Sequence, residues 1–230
     1  MAQQLYFSRD TRVYVKKGTI VWEVPVLDGF SFSQATNSSE ITLAEMESSG
    51  GVSRRGRKQF NDSLAPAEWS FSTYIRPFAS AGSGAGAADD AAKVHAVEEI
   101  LWALFSGPSE SNKSTLGTAD IYFVLGNANK KVYKLKDSVV NEASLDFDID
   151  GIATIGWSGM SSELLDVTGS TQFDNTLPVA SDVTGDGSTM ALGDVWIDTN
   201  DNARLHIMTN VTSGSEAATS NIYEAVGSTT

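Results

Sequence analysis

Between residues 142 and 150 the chain reads Glu142-Ala-Ser-Leu-Asp-Phe-Asp-Ile-Asp150, with a carboxylate or a serine at every second position. On a strand, alternate side chains point to opposite faces. Glu142, Ser144, Asp146, Asp148 and Asp150 then share one face, and Leu145, Phe147 and Ile149 share the other. Carboxylates at that spacing lie roughly 6.5–7 Å apart along the strand. Calcium, with ligand oxygens at about 2.3–2.6 Å, spans only about 5 Å between them, so one ion is a poor fit to neighbouring pairs. The row repels itself and must face water or cations. Either it is a solvated strand face above an ordinary apolar core, or it is a surface that repels a polyanion.

A second run is basic. Arg54-Arg-Gly-Arg-Lys58, followed by Phe60, gathers four of the chain's 16 positive charges within five residues. It falls in residues 47–66, a stretch read as a 20-residue loop. Loops of that length without structure of their own are uncommon in compact domains. Three readings stand open for it: contact with nucleic acid, a solvated loop without a role, or a segment that orders against an acidic copy of the same protein.

Other reactive chemistry is thin. There are no cysteines, which removes disulfides, thiolate metal sites and cysteine nucleophiles together. The two histidines, His95 and His206, have no second histidine at helical metal spacing. Gly156-Trp-Ser-Gly-Met160 approaches a nucleophile elbow, but Met160 stands where the second glycine is required. The glycine-rich run before residue 88 lacks the surrounding strand–helix–strand pattern of a dinucleotide fold. Asp198-Thr-Asn-Asp-Asn202 begins like a calcium loop, but Ala203 and Thr209 occupy the positions that need glycine and glutamate. The chain is therefore expected not to be an enzyme and to hold no cofactor or metal.

The elements that must position these residues are mostly strands. At 230 residues, 41% hydrophobic, the chain is long enough and apolar enough to bury a real core. Strands are expected at 12–16 and 19–26, joined at Lys17-Gly18, and a hairpin at 29–46 with Phe30, Phe32, Ile41 and Leu43 on its buried side. Trp69, Phe71, Thr73 and Ile75 alternate with polar residues and predict another strand, stopped by Pro77. Residues 79–88 have linker composition. A helix is expected over 89–106, its stripe being Val94, Val97, Leu101, Leu104 and Phe105. Strands at 119–125 and 131–135 follow, and the acidic strand 142–150 pairs with 152–157 across a turn near Gly151. Residues 1–166 form the expected core and 167–230 a small β appendage, which holds eight acidic residues against one basic, Arg204.

The net charge of −13 excludes a protein that grips nucleic acid through massed lysine and arginine. It leaves room for a repulsive, sliding contact. The N-terminus shows no basic region followed by an apolar run, so no secretion signal is expected. No apolar run approaches the roughly 20 residues of a membrane span. Synthesis in a cytoplasm, without membrane association, is the expectation.

The order of hairpin, long basic loop, aromatic strand, linker, single helix and acid-faced hairpin resembles the tail tube proteins of tailed bacteriophages. The residues that carry the resemblance are Leu27-Asp-Gly-Phe-Ser-Phe-Ser33 with Ser39-Glu-Ile-Thr-Leu-Ala-Glu45, Trp69-Ser-Phe-Ser-Thr-Tyr-Ile-Arg-Pro77, the helix before Phe105, and residues 142–157. It covers roughly residues 10–160. The resemblance implies a mainly β fold with one flanking α-helix: a sandwich-like core whose hairpins join those of neighbours into a ring-wide β-barrel. It implies hexameric rings that stack into a tube conducting genomic DNA during ejection. Ser31, Ser33, Glu142, Ser144, Asp146, Asp148 and Asp150 would then face the lumen. Arg54, Arg55, Arg57, Lys58 and Phe60 would reach the next ring. Partners would be further copies of the chain, DNA passing without specific binding, and tape measure, terminator and baseplate proteins, with a sheath left open. The protein would reside in the virion tail, assembled in the host cytoplasm. The alternatives are a tube initiator, baseplate tube component or terminal ring of the same tail, or a free calcium- or carbohydrate-binding β module with Trp196 stacking on sugar.

Overall fold

The computed structural model describes residues 10–18, 20–43, 56–75, 79–80, 94–95, 98–106, 117–126, 130–147, 151–174, 186–189, 191–199, 204–210, 218–219 and 221–223. In chain order the elements are β1 (Thr11–Lys17), β2 (Ile20–Val24), β3 (Ser31–Leu43), β4 (Gly56–Tyr74), β5 (Ala79–Ser80) and β6 (Val94–His95). Helix α1 (Glu99–Ser106) precedes β7 (Ala119–Leu125), β8 (Lys131–Asp146), β9 (Thr154–Ser161) and β10 (Glu163–Asp166). The last strands are β11 (Thr171–Asp174), β12 (Val195–Asp198), β13 (Arg204–Asn210), β14 (Ala218–Thr219) and β15 (Asn221–Tyr223).

Nine strands form one sheet: eight follow the path β15-β2-β1-β7-β8-β9-β4-β3, and β10 pairs with β8 off it. The path folds over on itself at β8. The first half of that strand pairs with β7 and β10, and its second half with β9. The expected separate strands 131–135 and 142–150 are thus continuous as far as Asp146. The chain bends without a loop because Asp137 takes a positive φ of 50° and donates its amide to Asp120 Oδ1 at 3.1 Å. Ser138, fully buried, lies 2.7 Å from the Ser161 hydroxyl. A bulge between Val140 and Glu142 completes the turn of the sheet.

Folding at β8 brings two half-sheets face to face as a β-sandwich. Val13, Val15, Ile121, Phe123 and Leu135 come from one half, and Trp69, Phe71, Ile155 and Trp157 from the other. Phe32 of β3 packs 4.6 Å from Phe123 and 5.3 Å from Tyr133, so the alternation read at Phe30-Ser-Phe-Ser33 points phenylalanine inward. Helix α1 contributes Ile100, Leu101 and Leu104 to this core. It is shorter than the expected 89–106, since Val94–His95 pairs with Ala79–Ser80 as strand. Leu101 and Trp102 donate to the Glu98 carbonyl at 3.0 and 3.1 Å in the first turn.

Two further expectations are corrected. The hairpin 29–46 is instead one 13-residue strand, β3, with no turn at 35–39. The loop 47–66 ends earlier, because β4 begins at Gly56. The turn-forming residues of 35–39 are held extended by bonds across to β4. Asn37 Nδ2 donates to Ser63 Oγ at 3.1 Å, the Ser39 hydroxyl to Asp62, and Gln59 Nε2 to Ser38 Oγ at 3.0 Å. Bulges between Gln34 and Thr36 and between Asn37 and Ser38 take up the irregular composition.

The appendage adds a third layer. β11-β12-β13-β14 form a small sheet, and its Val195, Ile197, Leu205 and Ile207 bury against Tyr14, Val21, Tyr122, Val124 and Val132. Those are the alternate positions of β1, β2, β7 and β8, so the first half-sheet is apolar on both faces. After the appendage, β15 pairs in parallel with the edge strand β2.

Candidate functional site: a polar sheet face with two open edges

The second half-sheet, β8-β9-β4-β3, buries one face in the sandwich and turns the other outward. Register assigns that outward face residue by residue. Ser31, Ser70, Ser158 and Glu142 form one rung across all four strands. Ser72, Gly156 and Ser144 form the next, and Tyr74, Thr154 and Asp146 the one beyond. On the other side of the first rung lie Ser33, Glu68 and Met160. Ser31, Ser33, Glu142, Ser144 and Asp146, expected from sequence to work together, therefore do share one surface. All five are exposed. Asp148 and Asp150 lie outside the described residues, as does Ile149.

This face holds three carboxylates, Glu68, Glu142 and Asp146, and no lysine or arginine among the positions just named. Its remaining side chains are mostly small hydroxyls. Ser31 and Ser70 bond to one another at 2.8 Å, and the Ser144 hydroxyl donates to the Gly156 carbonyl at 3.4 Å. Two shallow grooves run along it. One, of about 260 Å³, is lined by Ser31, Ser33, Glu68 and Asn141. The other, of about 230 Å³, is lined by Ser72, Glu142, Ser144 and Gly156. Chemically the surface is smooth, hydrated and anionic, without a nucleophile–base pair. Ser158, the serine of the near-elbow, sits in mid-strand on β9.

Sequence reading passed over Glu68, Ser70, Ser72 and Ser158 as members of this face. The signal was present in Trp69-Ser-Phe-Ser, whose serines alternate with the apolar residues, but nothing in the sequence joined them to the acidic strand. The opposite face brings a correction. Leu145 and Phe147, expected as core, are 50% and 71% exposed. The β8–β9 hairpin runs past the end of the sandwich, so nothing described covers its apolar side.

The four-stranded face has open edges. Among the described residues β3 pairs only with β4, and the second half of β8 only with β9. Beyond Ala67, β4 has lost β9 and pairs with β3 alone, as far as Leu43–Gly56. This two-stranded arm is anchored at its base by Gln34, which donates to the Ala65 carbonyl at 2.8 Å and accepts from the Leu164 amide at 3.1 Å. Arg57, Lys58 and Phe60 stand on the arm opposite Thr42, Ile41 and Ser39. Arg54 and Arg55 lie outside the described residues.

Elsewhere, the candidate sugar platform Trp196 is only 4% exposed and stacks on His206 at 4.8 Å. A ring so covered cannot receive a sugar. His95 stands on β6 rather than on a helix. No group of three or more metal-ligating side chains occurs among the described residues, and no helix there is long and apolar enough to cross a membrane.

No family model matches the chain. It is 33% identical over 186 residues to tail tube protein pb6 of Escherichia phage T5, a match covering 70% of this chain and 38% of that protein. The chain thus spans about two fifths of the length of this relative. Among solved structures, it is similar to the sheath/tube terminator of the PVC extracellular contractile injection system, at 10% identity and a TM-score of 0.47, over 72% of this chain and 98% of that one. It is also similar to the SPP1 tail tube, at 10% identity and a TM-score of 0.38, over 70% and 78% of the two chains. The relative's name is that of a structural part of a phage tail, not of an enzyme. At the level of sequence, this chain is a homologue of a tailed-phage tail tube protein.

Proposed function

We propose that the chain is a tail tube subunit whose copies close edge to edge into hexameric rings, with the polar face of β8-β9-β4-β3 as the wall of a DNA conduit. The observation that carries this reading is that face itself: anionic, serine-lined and open at both edges. An exposed strand edge is a liability that ring closure removes. Neighbouring strands in this half-sheet are all antiparallel, and β8 therefore runs opposite to β3. Laying β3 of one copy beside β8 of the next continues the same alternation around the ring. A conduit must pass a rod with one negative charge per about 1.7 Å without holding it. Glu68, Glu142 and Asp146 supply like-charge repulsion over roughly a Debye length of 8 Å, while the serines keep the wall hydrated. The appendage, packed on the opposite side of the sandwich, would then form the exterior. Tape measure, terminator and baseplate proteins would be its partners within the virion tail.

Negative-stain microscopy of the purified protein tests the reading. Rings and cylinders are expected; a lone monomer at high concentration under every salt condition would overturn it. Single rings that never lengthen would favour the initiator or terminal-ring alternative. For the lumen, Glu68→Lys with Glu142→Lys is expected to slow DNA ejection several-fold through tubes of normal form. Unchanged ejection kinetics would refute the anionic-wall assignment.

A further inference from the structure

The two half-sheets finish their edges in opposite ways. In the second, the 13-residue β3 and the latter part of β8 have no outer neighbour among the described residues. In the first, each edge carries a very short extra strand. β10, four residues long, lies on Tyr133 to Lys136 of β8. Its outward Leu164 amide is already taken, donating to Gln34 Oε1 at 3.1 Å. β15, three residues long, lies on β2 and pairs Asn221, Ile222 and Tyr223 with Ile20, Val21 and Trp22. Parallel pairing of this kind is slightly weaker per residue than antiparallel, so three residues of it add little stability. A bare strand edge, however, is a template for another chain, and very short edge strands are one way to blunt it. One C-terminal stretch supplies both. From β10 the chain crosses the outer face of the half-sheet as β11–β14, covering Tyr14, Tyr122 and Val132, and comes out on β2 at the opposite edge.

Resting on the tube reading above for which edges must stay open, we propose that β10 and β15 are edge guards. They confine pairing between copies of this chain to β3 and the second half of β8. The partner they exclude is an extended strand of a second copy. With β2 bare, a subunit would present a third pairing edge; two edges permit a closed ring, whereas three permit branching. The guards leave little edge of their own, since β15 offers three residues against the 13 of β3. Blocking wrong pairings by such devices is how a sheet protein specifies one assembly among several.

Two variants test the guard on β2, one releasing it and one locking it. Asn221→Pro with Ile222→Pro removes two of the three backbone donors of β15. While monomeric, this variant is expected to exchange the amides of 20–24 at least ten-fold faster than wild type. It should sediment as dimers and larger species at concentrations where wild type is monomeric, and give branched aggregates in place of separate cylinders. Exchange across β7, 119–125, should keep its wild-type rate. Faster exchange there would make β15 a clasp on the whole fold and overturn the guard, as would a proline variant that associates only as wild type does. For the lock, the chain contains no cysteine, and Ile20 pairs directly with Asn221. Paired strands lie about 4.8 Å apart, within the Cα range of about 4.4–6.8 Å for a disulfide. Oxidised Ile20→Cys with Asn221→Cys is expected to run as a monomer on a non-reducing gel and to assemble as wild type does. A locked protein that no longer assembles, or one bridged between chains, would overturn the proposal. Wild-type protein that forms no rings would overturn the tube reading alone, because the exchange and sedimentation contrasts are read on dilute subunits.

Discussion

Gly159 shows how closely neighbouring strands of the second half-sheet crowd one another. A Cβ there would lie 2.0 Å from the Val139 carbonyl oxygen and 2.5 Å from the Trp69 ring. Gly159→Ala is therefore expected to destabilise the fold by about 1–3 kcal/mol, the cost of overpacking a filled core, read by urea denaturation. Thr73 is a second such point, accepting from Trp157 Nε1 at 3.1 Å in the buried core. Thr73→Val keeps the shape but leaves the indole N–H without that acceptor, and about 1–3 kcal/mol should be lost. Asp166 offers a pH test. Partial burial raises its carboxyl, but bonds from Thr168 and Lys131 outweigh this and hold it below the usual carboxylate range. Its contribution is full above the ordinary value near about 4 and fades as pH falls through the lowered one. Asp166→Asn should flatten the acid limb of the thermal-stability profile by that contribution. Trp69 and Phe71 announced themselves as core by alternation. The need for glycine at 159 did not, because it depends on a ring arriving from another strand.

Among elements, legibility followed burial. β1, β7 and β9 each bury at least one face against a partner layer, and their period-two pattern could be read directly. The arm buries neither face fully, so it lacks that pattern, and its serines, threonines and asparagines read as turn formers. For the same reason the start of β4 was mistaken for loop. The outward face was legible only where its carboxylates stood out; its serines carried no signal until register set them side by side. An arm of this kind should open easily in the free subunit. Hydrogen exchange is expected to be fast across 36–43 and 56–64 in unassembled protein and slow across 67–74. Equal exchange across the two stretches would contradict a marginal arm.

For the molecule as a whole, the appendage is the feature least visible in advance. Its acidic composition marked it as distinct, but not that it packs a sheet over Tyr14, Tyr122 and Val132. The first half-sheet is apolar on both sides, so it depends on this third layer. A chain ending at Asp166 is expected to bind hydrophobic dyes and to aggregate, whereas an independent appendage would leave the truncated core soluble and monodisperse. The continuous strand β8, shared between the half-sheets, ties the layers into one body: strain at its bend is felt by both.

In the proposed ring, the even number of strands that each subunit would give to the wall has a consequence for calibre. Every seam between copies would repeat the same antiparallel junction, so strand direction would impose no particular copy number. The width of the bore would then be set by the angle each seam adopts, which side chains along β3 and the second half of β8 would control. Substitutions there should yield wider or narrower cylinders sooner than they abolish closure.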